Sequence, residues 1–311
     1  MTEALPVTGP LPLEREGLAP VAPGRSRLAA YIALTKPRII ELLLVTTVPA
    51  MIVAERGMPP AWLILATLVG GTLAAAGANA TNMVIDRDID KLMRRTSKRP
   101  LVTGEITPRN ALIFAIGLEL GAAVWLALVV NPLSAALAVA ATLFYVFVYT
   151  IWLKRTSVQN IVIGGAAGAV PVLVGWAAVT NELAIAPFAM FAIIFVWTPP
   201  HFWALAIRYR ADYAAADVLM LPVVASFEDT TKKMVVYTLV LWAVSLALWP
   251  LGSMGPIYLV AAMALGAMFT WKAVQLARSH NPDLAMRLFK FSITYITLLF
   301  GAMAADQLLL H

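Results

Sequence analysis

The chain has no cysteine in its 311 residues. Disulfides, thiolate metal sites and cysteine nucleophiles are thereby excluded. Charge is also scarce: 13% of residues are Asp, Glu, Lys or Arg, against about 25% in an ordinary soluble domain. The first 27 residues contain no apolar run of the kind a cleaved signal peptide requires. Glu3, Glu14 and Glu16 in the same stretch argue against an organellar transit peptide, a segment usually poor in acids. Residues 1–27 carry several prolines and charges before any periodic apolar pattern, so a disordered tail is expected there.

What remains is hydrophobic. Apolar residues make up 61% of the chain, an excess that suits a protein whose solvent is lipid. Runs long enough to cross roughly 30 Å of hydrocarbon recur at about 39–54, 61–85, 111–130, 133–152, 160–180, 184–207, 234–251, 256–276 and 288–310. Unpaired backbone is costly in lipid, so these runs are expected to be helices. The expected architecture is an all-α, polytopic bundle of nine transmembrane helices spanning residues 28–311.

The net charge of +6 raises the question of nucleic acid. Its distribution answers it. Of 23 Lys and Arg, all but Arg56 fall in the tail, in alternate gaps between the nine runs, or at the helix ends bordering those gaps. That is the positive-inside pattern, with a cytoplasmic N-terminus and an outside C-terminus, and no nucleic-acid partner is expected.

One gap is too charged for topology alone. "NMVIDRDIDKLMRRTSKRP", residues 82–100, sets Asp86, Asp88 and Asp90 beside six cations. If the second helix runs on to residue 90, Asn79, Asn82, Asp86 and Asp90 share an arc of about 80°, and Asp88 points the other way. Amides this deep face a bundle interior or a wet cavity. Two carboxylates four residues apart repel unless a cation joins them. Mg²⁺ takes one or two carboxylates together with substrate phosphates and water. Lys91, Arg94, Arg95, Lys98 and Arg99 then read as partners for a diphosphate, whose oxygens arginine matches in bidentate geometry. The bland alternative is a solvated loop of self-neutralising charges.

A second candidate lies after the sixth helix, in "WTPPHFWALAIRYRADYAAADVLMLPVV", residues 197–224. His201, Arg208 and Asp212 fall within about 40° on a helix, whereas Asp217 points about 140° from Asp212. Four helices separate Asp86 from Asp212, so both loops are expected on one side of the membrane, with a parallel internal repeat and the site where the halves meet. His201 reads either as an interfacial hydrogen-bonder or as a group that approaches a metal centre. Trp197, Phe202 and Trp203 read either as rings that pack on a flat substrate or, the commoner case, as an interface belt or core. Lys154 and Arg155 form a further cation pair at the same face. Gly164, Gly165 and Gly168 let the fifth helix approach a neighbour closely. Glu41 is expected to pair with Arg38, Glu119 is either an orienting or a packed acid, Glu228 and Asp229 read as solvated loop acids, and His280 and His311 as surface residues.

Asn82-x3-Asp86-x3-Asp90 resembles the first motif of the UbiA superfamily of intramembrane prenyltransferases. Within it, "LTKPR" (34–38), "NMVIDRDID" with "RRTSKRPL" (82–101), "YTIWLKRTSVQNIVIGGAAGAVP" (149–171), "WTPPHFWALAI" (197–207) and "MLPVV" (220–224) resemble the haem-directed branch, the protohaem IX farnesyltransferases. Many superfamily members carry a second Asp-x3-Asp motif. Here Asp212 is followed by Ala216 at that spacing, and the Asp212–Tyr213 pair resembles the haem-directed branch instead. The departure leaves the number of metal ions open.

The resemblance implies a multi-pass protein of a bacterial cell (inner) membrane. It implies transfer of a farnesyl group from farnesyl diphosphate to a vinyl group of protohaem IX, with addition of water, to give haem O. It implies Mg²⁺ held by Asp86 and Asp90, with Asn82 orienting them and Asp212 on a second ion. Arg94, Lys98, Arg99, Lys154, Arg155 and Arg208 are the implied diphosphate-binding cations, and His201 the implied haem contact. Besides the lipid bilayer, haem A synthase or a terminal oxidase assembly are the implied partners. Two rivals stand beside this reading: a UbiA-type enzyme with an aromatic, quinone-precursor acceptor, and a secondary transporter.

Overall fold

The computed structural model of the chain describes residues 25–279 and 281–310, without the side chains of residues 38, 39 and 41–44. Tail residues 1–24, the expected Arg38–Glu41 pair, His280 and His311 lie outside the described residues. The described chain is helical throughout. In order it forms α1 (Arg27–Thr35), α2 (Pro37–Glu55), α3 (Ala61–Ile85), α4 (Arg87–Leu92), α5 (Pro108–Trp125), α6 (Pro132–Leu143), α7 (Lys154–Thr156), α8 (Asn160–Thr180), α9 (Ile185–Arg208), α10 (Arg210–Ala215), α11 (Leu221–Val224), α12 (Phe227–Leu251), α13 (Pro256–Ser279) and α14 (Asp283–Leu310). Leu126–Val130 prolongs α5, and Phe144–Leu153 joins α6 to α7, both as π-helix.

Among the described residues, eight helices are long and apolar enough to cross a membrane, and α2 is apolar over the shorter stretch Val45–Glu55. Their ends follow local chemistry. Thr107 and Asn131 accept the backbone N–H three residues on, at 3.3 and 2.8 Å, each just before a proline at the first helical position. Ser226 does the same for Asp229 at 3.0 Å. That cap starts α12 seven residues before the expected 234. Glu228 and Asp229 therefore lie in a first helical turn, where carboxylates complement the helix dipole, and not in a loop.

The described chain begins within the stretch expected to be a tail. Arg25 donates to the Lys98 carbonyl at 3.0 Å, and α1 begins at Arg27. α1 buries Ala30 and Leu34 against α3 and α5 and leaves Leu28 and Ile32 exposed.

Packing divides the bundle into two main apolar clusters. One joins α2, α8, α9, α12, α13 and α14, and the other joins α1, α3 and α5. Buried polar groups tie the last three helices together. Tyr258 donates to the Ser245 carbonyl at 2.6 Å, and Ser245 Oγ meets the Tyr295 hydroxyl at 2.7 Å. Asp306, fully buried on α14, accepts the backbone N–H of Gly255 and, at 3.1 Å, that of Tyr258. A carboxylate from one helix thus satisfies the free donors at the start of another.

Small residues set the closest approaches, as expected where lipid offers no hydrophobic force between helices. A Cβ on Gly164 would collide with the Tyr149 ring, and one on Gly165 would lie 3.0 Å from the Thr198 side chain. Gly168, expected to do the same, faces open space. The tightest backbone contact joins α8 to α2, where a Cβ on Gly175 would stand 2.7 Å from the Thr47 carbonyl oxygen. A carbonyl cannot swing aside as a side chain can. Gly175→Ala is expected to cost about 1–3 kcal/mol and lower the melting midpoint in detergent. Gly168→Ala, measured in parallel, should leave the midpoint where it is.

Candidate active site

The helical register of α3 runs on into α4. Asp86 N–H donates to the Asn82 carbonyl and Asp90 N–H to the Asp86 carbonyl, each at 2.9 Å. Residues four apart therefore stack, and Asn82, Asp86 and Asp90 form one buried column, with Asp86 0% and Asp90 2% exposed. Asn82 Nδ2 donates to Asp86 Oδ2 at 2.8 Å. Asn79, one turn deeper and also buried, donates to the Thr35 carbonyl at 3.1 Å. Asp88 points out, as the same periodicity requires.

Two buried carboxylates need positive charge beside them, and three elements supply it. Lys154 Nζ lies 2.5 Å from Asp86 Oδ2. Arg99 Nη1, from the loop after α4, lies 2.6 Å from Asp90 Oδ2. Lys36, between α1 and α2, donates to Asn82 Oδ1 at 2.7 Å. The π-helical segment brings the first of these into place. Thr150 donates to the Tyr145 carbonyl five residues back, at 2.8 Å, and accepts from Asn82 Nδ2 at 3.1 Å. Lys154 follows one turn later.

Charges outside the spans respond to this arrangement. Burial, with the Arg99 and Lys154 charges nearby, pulls the Lys36 ammonium from 10.5 down to about 7. Asp88 receives both Arg155 guanidinium nitrogens at 2.8 Å, and that hydrogen bonding holds its carboxyl at about 2.

The other expected residues are placed unevenly. Arg155 is committed to Asp88, although its Nη2 also stands 3.9 Å from Asp86 Oδ1. Asp212 on α10 accepts the Arg95 backbone N–H at 3.3 Å, so the two loops do meet at one face. Arg94, Lys98 and Arg208 are exposed there. His201 and Arg208 both lie on α9, which ends at Arg208, while Asp212 lies on α10; the buried imidazole of His201 meets Ser292 on α14, with Nδ1 2.6 Å from Oγ. Asp217 lies past the end of α10 in a left-handed conformation (φ 50°), exposed. Glu119 faces Gly77, and its Oε1 is buried without a hydrogen bond.

Lys36, Thr150 and Ser292 were missed by sequence reasoning. Lys36 and Thr150 left a trace, inside the words "LTKPR" and "YTIWLKRTSVQNIVIGGAAGAVP", and Ser292 left none.

The donor set can be tested against a hard divalent cation. Among the described residues, no three His, Asp or Glu side chains converge as ligands, so Asp86, Asp90 and Asp212 do not form a single protein-only metal cluster. Asp86 Oδ1, however, is buried and accepts no hydrogen bond. Two carboxylates with an unused oxygen fit Mg²⁺, an ion that completes its shell from substrate phosphates and water.

A buried carboxylate column is thus matched by cations at one end of a bundle of membrane-length helices. Residues 43–298 match the model of the UbiA prenyltransferase family, and the chain belongs to that family. It is 54% identical over 283 residues to the protoheme IX farnesyltransferase of Clavibacter michiganensis, covering 90% of this chain and 92% of that one. It is 52% identical over 309 residues to the enzyme of the same name from Parafrankia, with 98% of each covered. The Streptomyces coelicolor enzyme of that name is 50% identical over 293 residues, covering 92% of this chain and 93% of the relative.

Two solved structures share the fold. A digeranylgeranylglyceryl phosphate synthase superposes with a TM-score of 0.75 at 17% identity, over 90% of this chain and 98% of that one. A UbiA homologue from Archaeoglobus fulgidus, bound to DMAPP and Mg²⁺, superposes with a TM-score of 0.66 at 18% identity, over 88% and 99%.

Removing one partner of a buried ion pair costs more than removing both. Lys154→Ala should therefore destabilise the protein by about 3–5 kcal/mol, read as a fall in the detergent melting midpoint. Lys154→Met combined with Asp86→Leu should recover most of that loss.

Proposed function

We propose that the chain transfers a farnesyl group from farnesyl diphosphate to a vinyl group of protohaem IX, with addition of water, giving haem O and diphosphate. The observation that carries this reading is the buried Asn82–Asp86–Asp90 column with Lys36, Lys154 and Arg99 converging on it. Asp86 and Asp90 would hold Mg²⁺ on the substrate, and Asp212 a second ion. Bound there, Mg²⁺ neutralises charge that grows on the departing diphosphate. Asn82 keeps the Asp86 carboxylate aimed through its 2.8 Å hydrogen bond.

Lys154 and Arg99, paired with the column's carboxylates, would face the diphosphate, and Arg94, Lys98, Arg155 and Arg208 would add positive charge around it. Leaving-group departure places positive charge on the farnesyl carbon chain. The apolar bundle keeps water from that cation until the vinyl group has attacked. His201 contacts the haem. The alternating basic loops support nine crossings, with α2 the ninth, a domain from residue 28 to 311, and a cytoplasmic N-terminus. The membrane face that carries the column is then the cytoplasmic one.

The test is a product assay. Purified protein with protohaem, farnesyl diphosphate and Mg²⁺ should yield an extracted haem heavier by one farnesyl group plus one water, seen by liquid chromatography and mass spectrometry. EDTA should abolish it. Asp86→Ala should also abolish it while the protein still elutes as a folded species. A folded, lipid-reconstituted wild type that prenylates an aromatic acceptor and not haem would refute the assigned acceptor.

Lys36 adds a pH signature. Its ammonium titrates at about 7 in the ligand-free protein, so at pH 8 it is mostly neutral. An anionic diphosphate favours the charged form. Binding at pH 8 should draw up to about one proton from solution. At pH 6, where Lys36 is already charged, it should draw little. Calorimetry in buffers of different ionisation enthalpy measures the difference, and Lys36→Gln should erase it.

A further inference from the structure

His201 is held on three sides. Trp197 stacks on the imidazole with ring centroids 4.2 Å apart and 20° between planes. Phe289, on α14, stacks at 4.6 Å and 26°. Two near-parallel rings that close must lie on opposite faces. The third contact is Ser292, whose Oγ lies 2.6 Å from Nδ1. The backbone at Ser292 is itself anchored, because its carbonyl accepts the Trp197 indole N–H at 2.8 Å.

The decisive contact is on the far side of Ser292, whose Oγ donates to the Phe289 carbonyl at 2.7 Å. A hydroxyl has one proton, and a carbonyl oxygen has none to give. With that proton directed to Phe289, the short contact to His201 requires a proton on Nδ1. Nε2 then carries the lone pair, and no group among the described residues donates to it.

We infer that Ser292 is a positioning residue that fixes His201 as its Nδ1–H tautomer and presents Nε2 as an axial ligand for the iron of the haem substrate. The inference rests on the reading that haem is the acceptor. Its chemistry is that of metal-binding histidines generally, in which the second ring nitrogen donates to an outer partner that sets tautomer and orientation.

Two measurements test the inference separately from the acceptor reading. The first needs no haem. The chain has three histidines, so ¹⁵N-histidine labelling, with His201→Ala to assign the resonance, reads the tautomer directly. The Nδ1–H form is expected. The Nε2–H form would overturn the inference whatever the substrate. The second measurement titrates ferric protohaem IX into reconstituted protein and records optical and electron-paramagnetic-resonance spectra. His201→Ala should lose the histidine-ligation signature. Ser292→Ala should bind haem about 10-fold more weakly, with a shifted spectrum, and Ser292→Thr should restore both.

Full affinity and an unchanged spectrum in Ser292→Ala, with the signature lost in His201→Ala, would remove the role of Ser292 and leave His201 standing. An unchanged signature in His201→Ala, in a protein that still farnesylates haem, would overturn the inference and leave the transferase reading intact. The absence of both haem binding and haem product in folded protein would overturn the acceptor reading, and this inference with it.

Discussion

Everything at the charged face depends on keeping two carboxylates out of water. Asp86 and Asp90 are 0% and 2% exposed, and a buried charge without a partner is far more costly than a paired one. Their cations come from two places: Lys154, 68 residues on at the end of the π-helical segment, and Arg99, nine residues on in the loop after α4. Lys36, from the hinge between α1 and α2, joins through Asn82. The column therefore joins four segments that lipid alone would not hold in register. The same carboxylates and cations are what a diphosphate and its metal ion would engage. On the proposed reading, one group of charges supports the resting fold and supplies the binding site.

Part of this was legible in the sequence because it depends only on local periodicity. Apolar runs of membrane length gave the spans, and the 3.6-residue repeat placed Asn82, Asp86 and Asp90 together with Asp88 outward. What escaped depends on which helix lies opposite. The partners of Lys36, Lys154 and His201 lie 46, 68 and 91 residues away, and no local pattern encodes such distances. The contact of His201 with Ser292 was hidden for the same reason, because α14 covers the histidine from far along the chain. The early start of α12 was readable in Ser226 and Asp229, but the apolar run that marks the span begins later.

The ten-residue π-helical segment Phe144–Leu153 shows how local geometry serves a remote contact. A wider turn spaces its hydrogen bonds one residue further than an α-helix does. Thr150 consequently reaches back to Tyr145 and still accepts from Asn82, while Lys154 emerges toward Asp86. Gly164 gives the displaced Tyr149 ring its space. Long π-helices are uncommon because their backbone geometry is less favourable, and here the segment ends at the buried ion pair.

Asp306 carries a consequence for biogenesis. It closes the first turn of α13 from α14, which follows α13 in the chain. When α13 enters the membrane, the donors at Gly255 and Tyr258 have no protein acceptor. They receive one only after α14 has been made and has folded back alongside. The capping of α13 therefore waits on the helix that follows it, and a chain ending before residue 306 would leave that start without its carboxylate.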